Sequence, residues 1–219
     1  MPRNEYQRTL EALRENILEM SDVVCQRLRR ALEAYEAKDE ALADSVIEGD
    51  HEINRLYLEL EQDCIELLAL QQPVAGDLRF VASSFKIITD LERIGDLAVN
   101  LAEYSQRARR DRFPDVNIAQ IGTETVMLVE DAMRAYATDN GAATRDIAAT
   151  DDEIDALCER ASRIVVRDLV ATEATEDALL DDVSRMLLTI RDLERVGDHA
   201  VNIAARTLYM VDNDDELIY

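Results

Sequence analysis

Two short stretches of the chain carry acidic and amide side chains spaced by four residues. The pattern occurs twice, as Glu92, Asp96 and Asn100 and again as Glu194, Asp198 and Asn202. Residues four apart lie on one face of an α-helix, so each set forms a single polar ridge. Clustered oxygen ligands suit hard or borderline cations such as Mg²⁺, Mn²⁺ and iron. The first chemistry that the residues suggest is therefore metal binding.

Acidic residues in two other segments offer a partner for each ridge. These are Asp50 with Asn54, next to Ile53, and Asp151 with Asp155, next to Ile154. If the helices pack side by side, each half presents at least three carboxylates and one or two amides on one shallow surface patch. The predicted metal ligands are Glu92, Asp96, Asn100, Glu194, Asp198, Asn202, Asp50, Asp151 and Asp155.

An ordinary solvated helix face is the alternative interpretation of these ridges. The chain contains 47 acidic residues, so a Glu and an Asp four apart arise easily by chance. Repetition of the pattern with its asparagine favours a site. Arg93 and Arg195 adjoin the ridges, where we expect ion pairs rather than anion binding. His199 replaces Leu97 of the first copy, so we expect it to be a packing or surface residue.

The ridges belong to a longer internal repeat. Residues 90–104 and 192–206 are identical at ten of fifteen positions, and earlier matches have an offset of 101 rather than 102. Apolar residues recur every three or four positions almost throughout, which predicts helices near 5–36, 40–70, 75–110, 116–138, 142–170 and 176–211. Gly95 and Gly197 fall within helices, which indicates close approach of a neighbouring helix.

These elements predict an all-α fold of two tandem, similar three-helix bundles, covering residues 1–112 and 116–219. One continuous antiparallel array of six helices is the alternative. Loops are expected at 71–76, 111–117, 138–141 and 171–176, and Asp39 is a candidate helix N-cap.

The formal charge of −23 argues against direct binding of nucleic acid or anionic lipid. Only Lys38 and Lys86 are lysines, and an acidic, lysine-poor surface suits concentrated salt, where screening reduces self-repulsion.

Three cysteines without C-x-x-C spacing indicate buried, reduced thiols in a cytoplasmic protein. No signal peptide, membrane span or catalytic motif is visible, so we expect no catalytic residues and no enzyme activity.

The doubled pattern L-E-R-[IV]-G-D-x-A-V-N, with Leu78-Arg79 before the first copy, resembles the signature of the PhoU family. The resemblance spans essentially the whole chain. It implies a negative regulator of phosphate uptake and of the phosphate-starvation response. The implied partners are the Pst phosphate ABC transporter, a sensor histidine kinase and a second copy in a homodimer. It also implies iron or other divalent metal clusters bound through E(D)-x-x-x-D motifs. Asn54 departs from that motif, so equal metal loading of the two halves is not expected.

Three functions follow as hypotheses. The first is a cytoplasmic regulatory adapter of phosphate import. The second is a metal-dependent phosphohydrolase or metal-storage bundle that uses the repeated carboxylates, since two-metal phosphoryl chemistry needs clustered ligands. The third is a helical scaffold without metal.

Overall fold

The computed structural model describes residues 3–70, 74–107, 113–172 and 177–218. Parts of the predicted loops, at 71–73, 111–112 and 173–176, lie outside the described residues. The elements are α1 (Arg3–Ala37), α2 (Glu40–Glu48), α3 (Asp50–Leu70), α4 (Ala75–Arg107), α5 (Ile118–Ala137), α6 (Ala143–Ala171) and α7 (Asp177–Asp212). The prediction of an all-α fold of two similar three-helix bundles is confirmed.

The predicted single helix at 40–70 is wrong in one respect, because it is interrupted at Gly49. The guanidinium of Arg27, on α1, lies against this glycine, and a Cβ there would approach Arg27 Nη1 to 2.7 Å. Arg27 is buried and pairs with Glu52 at 2.9 Å. The equivalent residues of the second half are Leu128 and Thr150, and α6 runs through Thr150 without a break. The interruption thus coincides with a buried arginine that the second half lacks at the equivalent position.

The two bundles pack side by side around α4 and α7. Helix α4 contacts α1 and α3, α7 contacts α5 and α6, and the halves meet where α4 packs on α7 and α1 on α5. Helices α3 and α6 therefore lie at opposite edges. Apolar side chains of both halves form one continuous core, which is favoured because burial removes apolar surface from water.

The repeat extends to the turns that precede the second helix of each half. Lys38 and Asp139, 101 residues apart, both have positive φ, at 52° and 50°. Asp39 then accepts a hydrogen bond from Leu42 N at 3.0 Å, and Asn140 accepts one from Ala143 N at 3.2 Å. The predicted cap at Asp39 and the predicted turn at 138–141 are confirmed.

Cys25, Cys64 and Cys158 are buried and unpaired, as predicted. Burial raises the pKa of Cys25 to about 11 and that of Cys64 to about 12, so these thiols stay protonated at neutral pH. In the part of the chain that the structure describes, no helix has both the length and the apolar character needed to cross a membrane.

Candidate functional site

The repeated ridges lie at the margin of the core, as expected from their angular position. On α4, Leu91 and Ile94 are fully buried, whereas the Asp96 side chain is 43% exposed and that of Glu92 is 20% exposed. On α7, Glu194 and Asp198 are exposed. The carboxylates of the α4 ridge lie near Asp50 of α3, and those of the α7 ridge lie near Asp151 of α6, so acidic side chains of two helices come together in each half.

The second-half cluster consists of Asp151 and Asp155 on α6 and of Glu194 and Asp198 on α7. Asp151 is only 9% exposed. Its Oδ1 is buried without a hydrogen-bond partner, and so is Oδ1 of Asp155. Two buried acceptors without donors carry a desolvation cost that a bound cation would relieve.

Gly197 makes room for Asp151 in this cluster. A Cβ at Gly197 would overlap Oδ1 of Asp151, so the carboxylate packs directly against the α7 backbone. In the first half, a Cβ at Gly95 would lie 2.9 Å from Ile53 Cδ1. Both glycines therefore mark a close helix approach, as predicted, but only Gly197 accommodates a carboxylate.

The electrostatics of the second-half cluster favour a cation. Burial raises the pKa of Asp151 to about 7, with further contributions from the neighbouring carboxylates, chiefly Asp155 and Asp198. Burial likewise raises the pKa of Asp155, and Asp198 adds to it. For Glu194 the causes are burial, then Asp155 and Asp198. Four mutually repelling carboxyls are costly to ionise together unless a positive charge lies among them.

The first-half cluster, Asp50, Glu92 and Asp96, is partly compensated by arginines. Burial raises the pKa of Asp96 and Asp50 raises it further, but Arg93 and Arg195 oppose the shift. Arg93 lies 3.4 Å from Asp96 and 3.5 Å from Glu92, which confirms the expected ion pair.

Hydrogen bonding and shape also distinguish the first half. Asn54 donates to Oδ2 of Asp50 at 2.7 Å, so this carboxylate oxygen already has a hydrogen-bond partner. A cavity of about 250 Å³ adjoins the cluster, with Arg195 of α7 in its wall. The first half therefore has fewer free carboxylate oxygens than the second.

Asn100 and Asn202 contact the opposite half of the molecule. Asn100 donates to Asp192 at 3.1 Å, and Asn202 donates to Asp90 at 3.4 Å. The two bonds are related by the repeat, because Asp90 matches Asp192 and Asn100 matches Asn202. Sequence reasoning missed both aspartates as functional groups, although they begin the two copies of the repeat.

Two unrepeated side chains strengthen these links. Tyr104 donates to Asp192 at 3.0 Å, and His199 Nδ1 lies 2.9 Å from Asp90 Oδ1. His199 is thus a contact between the halves, which agrees with the expected packing role.

The fit of a metal differs between the two clusters. Among the described residues, no three His, Cys, Asp or Glu side chains converge closely enough to hold an ion as they stand. The unpartnered oxygens of Asp151 and Asp155, and the space at Gly197, nevertheless suit an oxygen-ligated cation in the second half. In the first half, the amide of Asn54 and the guanidinium groups of Arg93 and Arg195 do not suit a bound cation.

The chain is therefore an internally repeated all-α protein of two similar helical bundles, with one carboxylate cluster between α3 and α4 and a second between α6 and α7. The chain belongs to the PhoU family. The PhoU domain profile matches residues 17–105 and again residues 118–207.

Relatives of similar length support this assignment. The phosphate-specific transport system accessory protein PhoU homolog of Clostridium acetobutylicum is 30% identical over 96% of both chains. The crystal structure of PhoU from Pseudomonas aeruginosa superposes with a TM-score of 0.88 at 30% identity, over 95% of this chain and 100% of that one. The phosphate transport system regulatory protein PhoU from Streptococcus pneumoniae gives 0.88 at 27% identity, over 95% and 98%.

Proposed function

We propose that the protein is a cytoplasmic adapter that restrains phosphate uptake by a Pst-type phosphate ABC transporter and limits the phosphate-starvation response. The observation that carries the proposal is the full-length likeness, in both halves, to relatives named as accessory or regulatory proteins of phosphate transport. An adapter needs binding surfaces rather than a catalytic constellation. A homodimer and a sensor kinase partner are part of the same proposal.

The acidic surface supports indirect control of gene expression. A formal charge of −23 repels phosphate backbones, and DNA binding depends on neutralising them with basic residues. The regulatory signal would therefore pass through protein contacts, at the transporter or at a kinase.

Deletion of the gene tests the regulatory role. We expect faster uptake of radiolabelled phosphate and expression of starvation genes in phosphate-replete medium. Wild-type protein supplied in trans should restore both, and an empty vector is the control. Unchanged uptake together with an unchanged starvation response would contradict the proposal.

We also propose that the second-half cluster binds a divalent cation more tightly than the first. Asp155→Asn removes one free carboxylate, and we expect at least a tenfold loss of Mn²⁺ affinity in calorimetric titration of chelator-treated protein. Asn54→Asp is the converse change, and it should add a weaker second site to the first half. Equal affinities in wild type and Asp155→Asn would contradict this assignment.

Wild type and Asp155→Asn can also be used to distinguish an adapter from a metal-dependent phosphohydrolase. Metal-loaded protein is incubated with a phosphate monoester such as p-nitrophenyl phosphate. Turnover that Asp155→Asn abolishes would favour the hydrolase, whereas metal binding without turnover is the result expected of an adapter.

A further inference from the structure

A cavity of about 360 Å³ lies between α5 and the start of α6. Its volume is within the range of small-ligand sites, roughly 300–1,000 Å³. Its lining includes the apolar side chains of Leu128 and Ile147 and the polar ones of Asp131, Asp146 and Thr150. None of the lining residues belongs to either carboxylate cluster, so the cavity is separate from the candidate metal site.

The internal repeat shows what fills the corresponding space in the first half. With the offset of 101, Leu128 of the lining corresponds to Arg27. Thr150 corresponds to Gly49, the residue against which the buried guanidinium of Arg27 lies. An arginine side chain of the chain itself therefore occupies this space in the first half, and the second half has no arginine at the equivalent position.

A second arginine distinguishes the two halves at the same place. In the first half, Arg30 Nη2 donates to Ser45 Oγ at 2.8 Å, which joins α1 to α2. The repeat-equivalent residues are Asp131 and Asp146, and both line the cavity. Where the first half has a guanidinium bound to a hydroxyl, the second half thus has two carboxylates around an open space.

These carboxylates are only partly satisfied within the chain. Asp131 pairs with Arg134, but the two side chains are 48% and 69% exposed, and ion pairs this exposed contribute little to stability. The side chain of Asp146 makes no hydrogen bond or ion pair with any residue that the structure describes. Free carboxylates suit a guanidinium group, because its planar fork can donate two parallel hydrogen bonds to each.

We propose that the cavity binds the side chain of an arginine supplied by a partner protein. Its alkyl stem would lie against Leu128 and Ile147, since such stems pack on apolar surface, and its guanidinium would bind Asp131 and Asp146. An arginine within a polypeptide fits better than the free amino acid, because the two aspartates and the formal charge of −23 repel a free α-carboxylate. The partner's arginine would take the place that the chain's own arginines take in the first half.

A peptide titration tests the proposal on the full-length chain. The probe is acetyl-Gly-Arg-Gly-amide, added in dilute buffer to isotopically labelled protein, and amide chemical shifts report both affinity and location. We expect saturable shifts confined to the α5–α6 region. The same peptide with citrulline in place of arginine keeps the shape but lacks the charge. It should bind about tenfold more weakly or worse, since hydrogen bonds to charged groups are the stronger ones, and free arginine should also bind more weakly.

Variants of the cavity locate the site. Asp131→Asn/Asp146→Asn removes both carboxylates and should weaken binding of the arginine peptide about tenfold or more. Asp131→Arg places a guanidinium where the first half has Arg30, and should block the peptide. Asp177→Asn/Asp181→Asn is the matched control, because it makes the same change in formal charge as the double asparagine variant at two exposed residues of α7. It should bind like wild type.

Arg134→Gln tests the same site in the opposite direction. It removes the cation that competes for Asp131 and should strengthen binding of the arginine peptide, which loss of folding cannot imitate. Equal binding of the arginine and citrulline peptides would overturn the proposal, and so would wild-type affinity in the double asparagine variant. Free arginine that binds as tightly as the peptide would overturn the partner protein as the source. The measurement does not depend on the role in phosphate uptake.

Discussion

Asp151 is the residue in which the physical chemistry of the second-half cluster is concentrated. It is nearly buried, has an unpartnered oxygen and lies against the backbone at Gly197. Burial and neighbouring carboxyls raise its pKa to about 7. A free aspartate titrates near 4, so folding without metal is coupled to proton binding at this position.

The coupling predicts a pH dependence of stability. Because the folded-state pKa is the higher one, the contribution of Asp151 to stability is fully present below about pH 4 and is lost as the pH rises through about 7. We expect Asp151→Asn to be more stable than wild type at about pH 8, by at most about 4 kcal/mol, and to lose that advantage near pH 4. Urea unfolding in the presence of a chelator measures the difference.

Asp152, the exposed neighbour of Asp151, provides the control for the urea unfolding measurement. Asp152→Asn removes a charge next to the cluster but leaves the buried carboxyl in place. A pH-independent difference between Asp151→Asn and wild type would contradict the coupling. Saturating Mn²⁺ should favour wild type over Asp151→Asn, because a bound ion stabilises the folded state.

At the scale of helices, the glycines of the repeat set how closely α3 and α6 approach α4 and α7. The same position has different neighbours in the two halves. Ile53 packs on Gly95, whereas the end of a flexible aspartate side chain packs on Gly197. Equivalent substitutions should therefore have different effects.

Alanine substitutions separate the two roles. Gly197→Ala should displace Asp151 and weaken Mn²⁺ binding at least tenfold. The free energy of unfolding should change little, because alanine favours the helix by about 1 kcal/mol and this offsets the cost of displacing Asp151. Gly95→Ala should overpack the core at Ile53 and destabilise the protein by roughly 1–2 kcal/mol while leaving Mn²⁺ binding intact. Calorimetry and urea unfolding report the two effects. Equal losses of metal affinity in both variants would contradict this division.

The sequence predicted the helices well because their signal is local. Stripes such as Leu91, Ile94 and Ala98 identify a buried face from spacing alone, and Gly95 and Gly197 correctly marked close approaches. The interruption at Gly49 was not predictable in this way, since the arginine that packs against it, Arg27, lies on another helix. The placement of Asn100 and Asn202 against opposite-half aspartates was missed for the same reason.

At the scale of the whole molecule, the halves share one core and reciprocal polar links. Asp192 is 3% exposed and accepts hydrogen bonds from Asn100 and Tyr104. Asp192→Ala would leave both donors without this acceptor, at a cost of about 2 kcal/mol. Scanning calorimetry of Asp192→Ala should show a single unfolding transition, with one lowered midpoint for both halves. A variant in which one half melts separately while the other keeps the wild-type midpoint would contradict the shared core.

Net charge also acts on the molecule as a whole. A formal charge of −23 favours expansion through self-repulsion, and salt shortens the range of that repulsion from about 10 Å at 0.1 M to about 3 Å at 1 M. We expect the thermal midpoint to rise steadily between dilute buffer and molar KCl. Sucrose, which stabilises without screening, is the control. Full stability in dilute buffer would contradict an adaptation to concentrated salt.

The reciprocal bonds between Asp90 and Asn202 and between Asp192 and Asn100 have an evolutionary consequence. Each half supplies to the other the same pair of groups that it receives, which is the contact pattern of a two-fold symmetric dimer. Fusion of two half-length chains would turn such a dimer contact into a bond within one polypeptide. Substitution of either aspartate then leaves an asparagine unmatched in the opposite half, so the two copies of the repeat cannot diverge independently at these four positions.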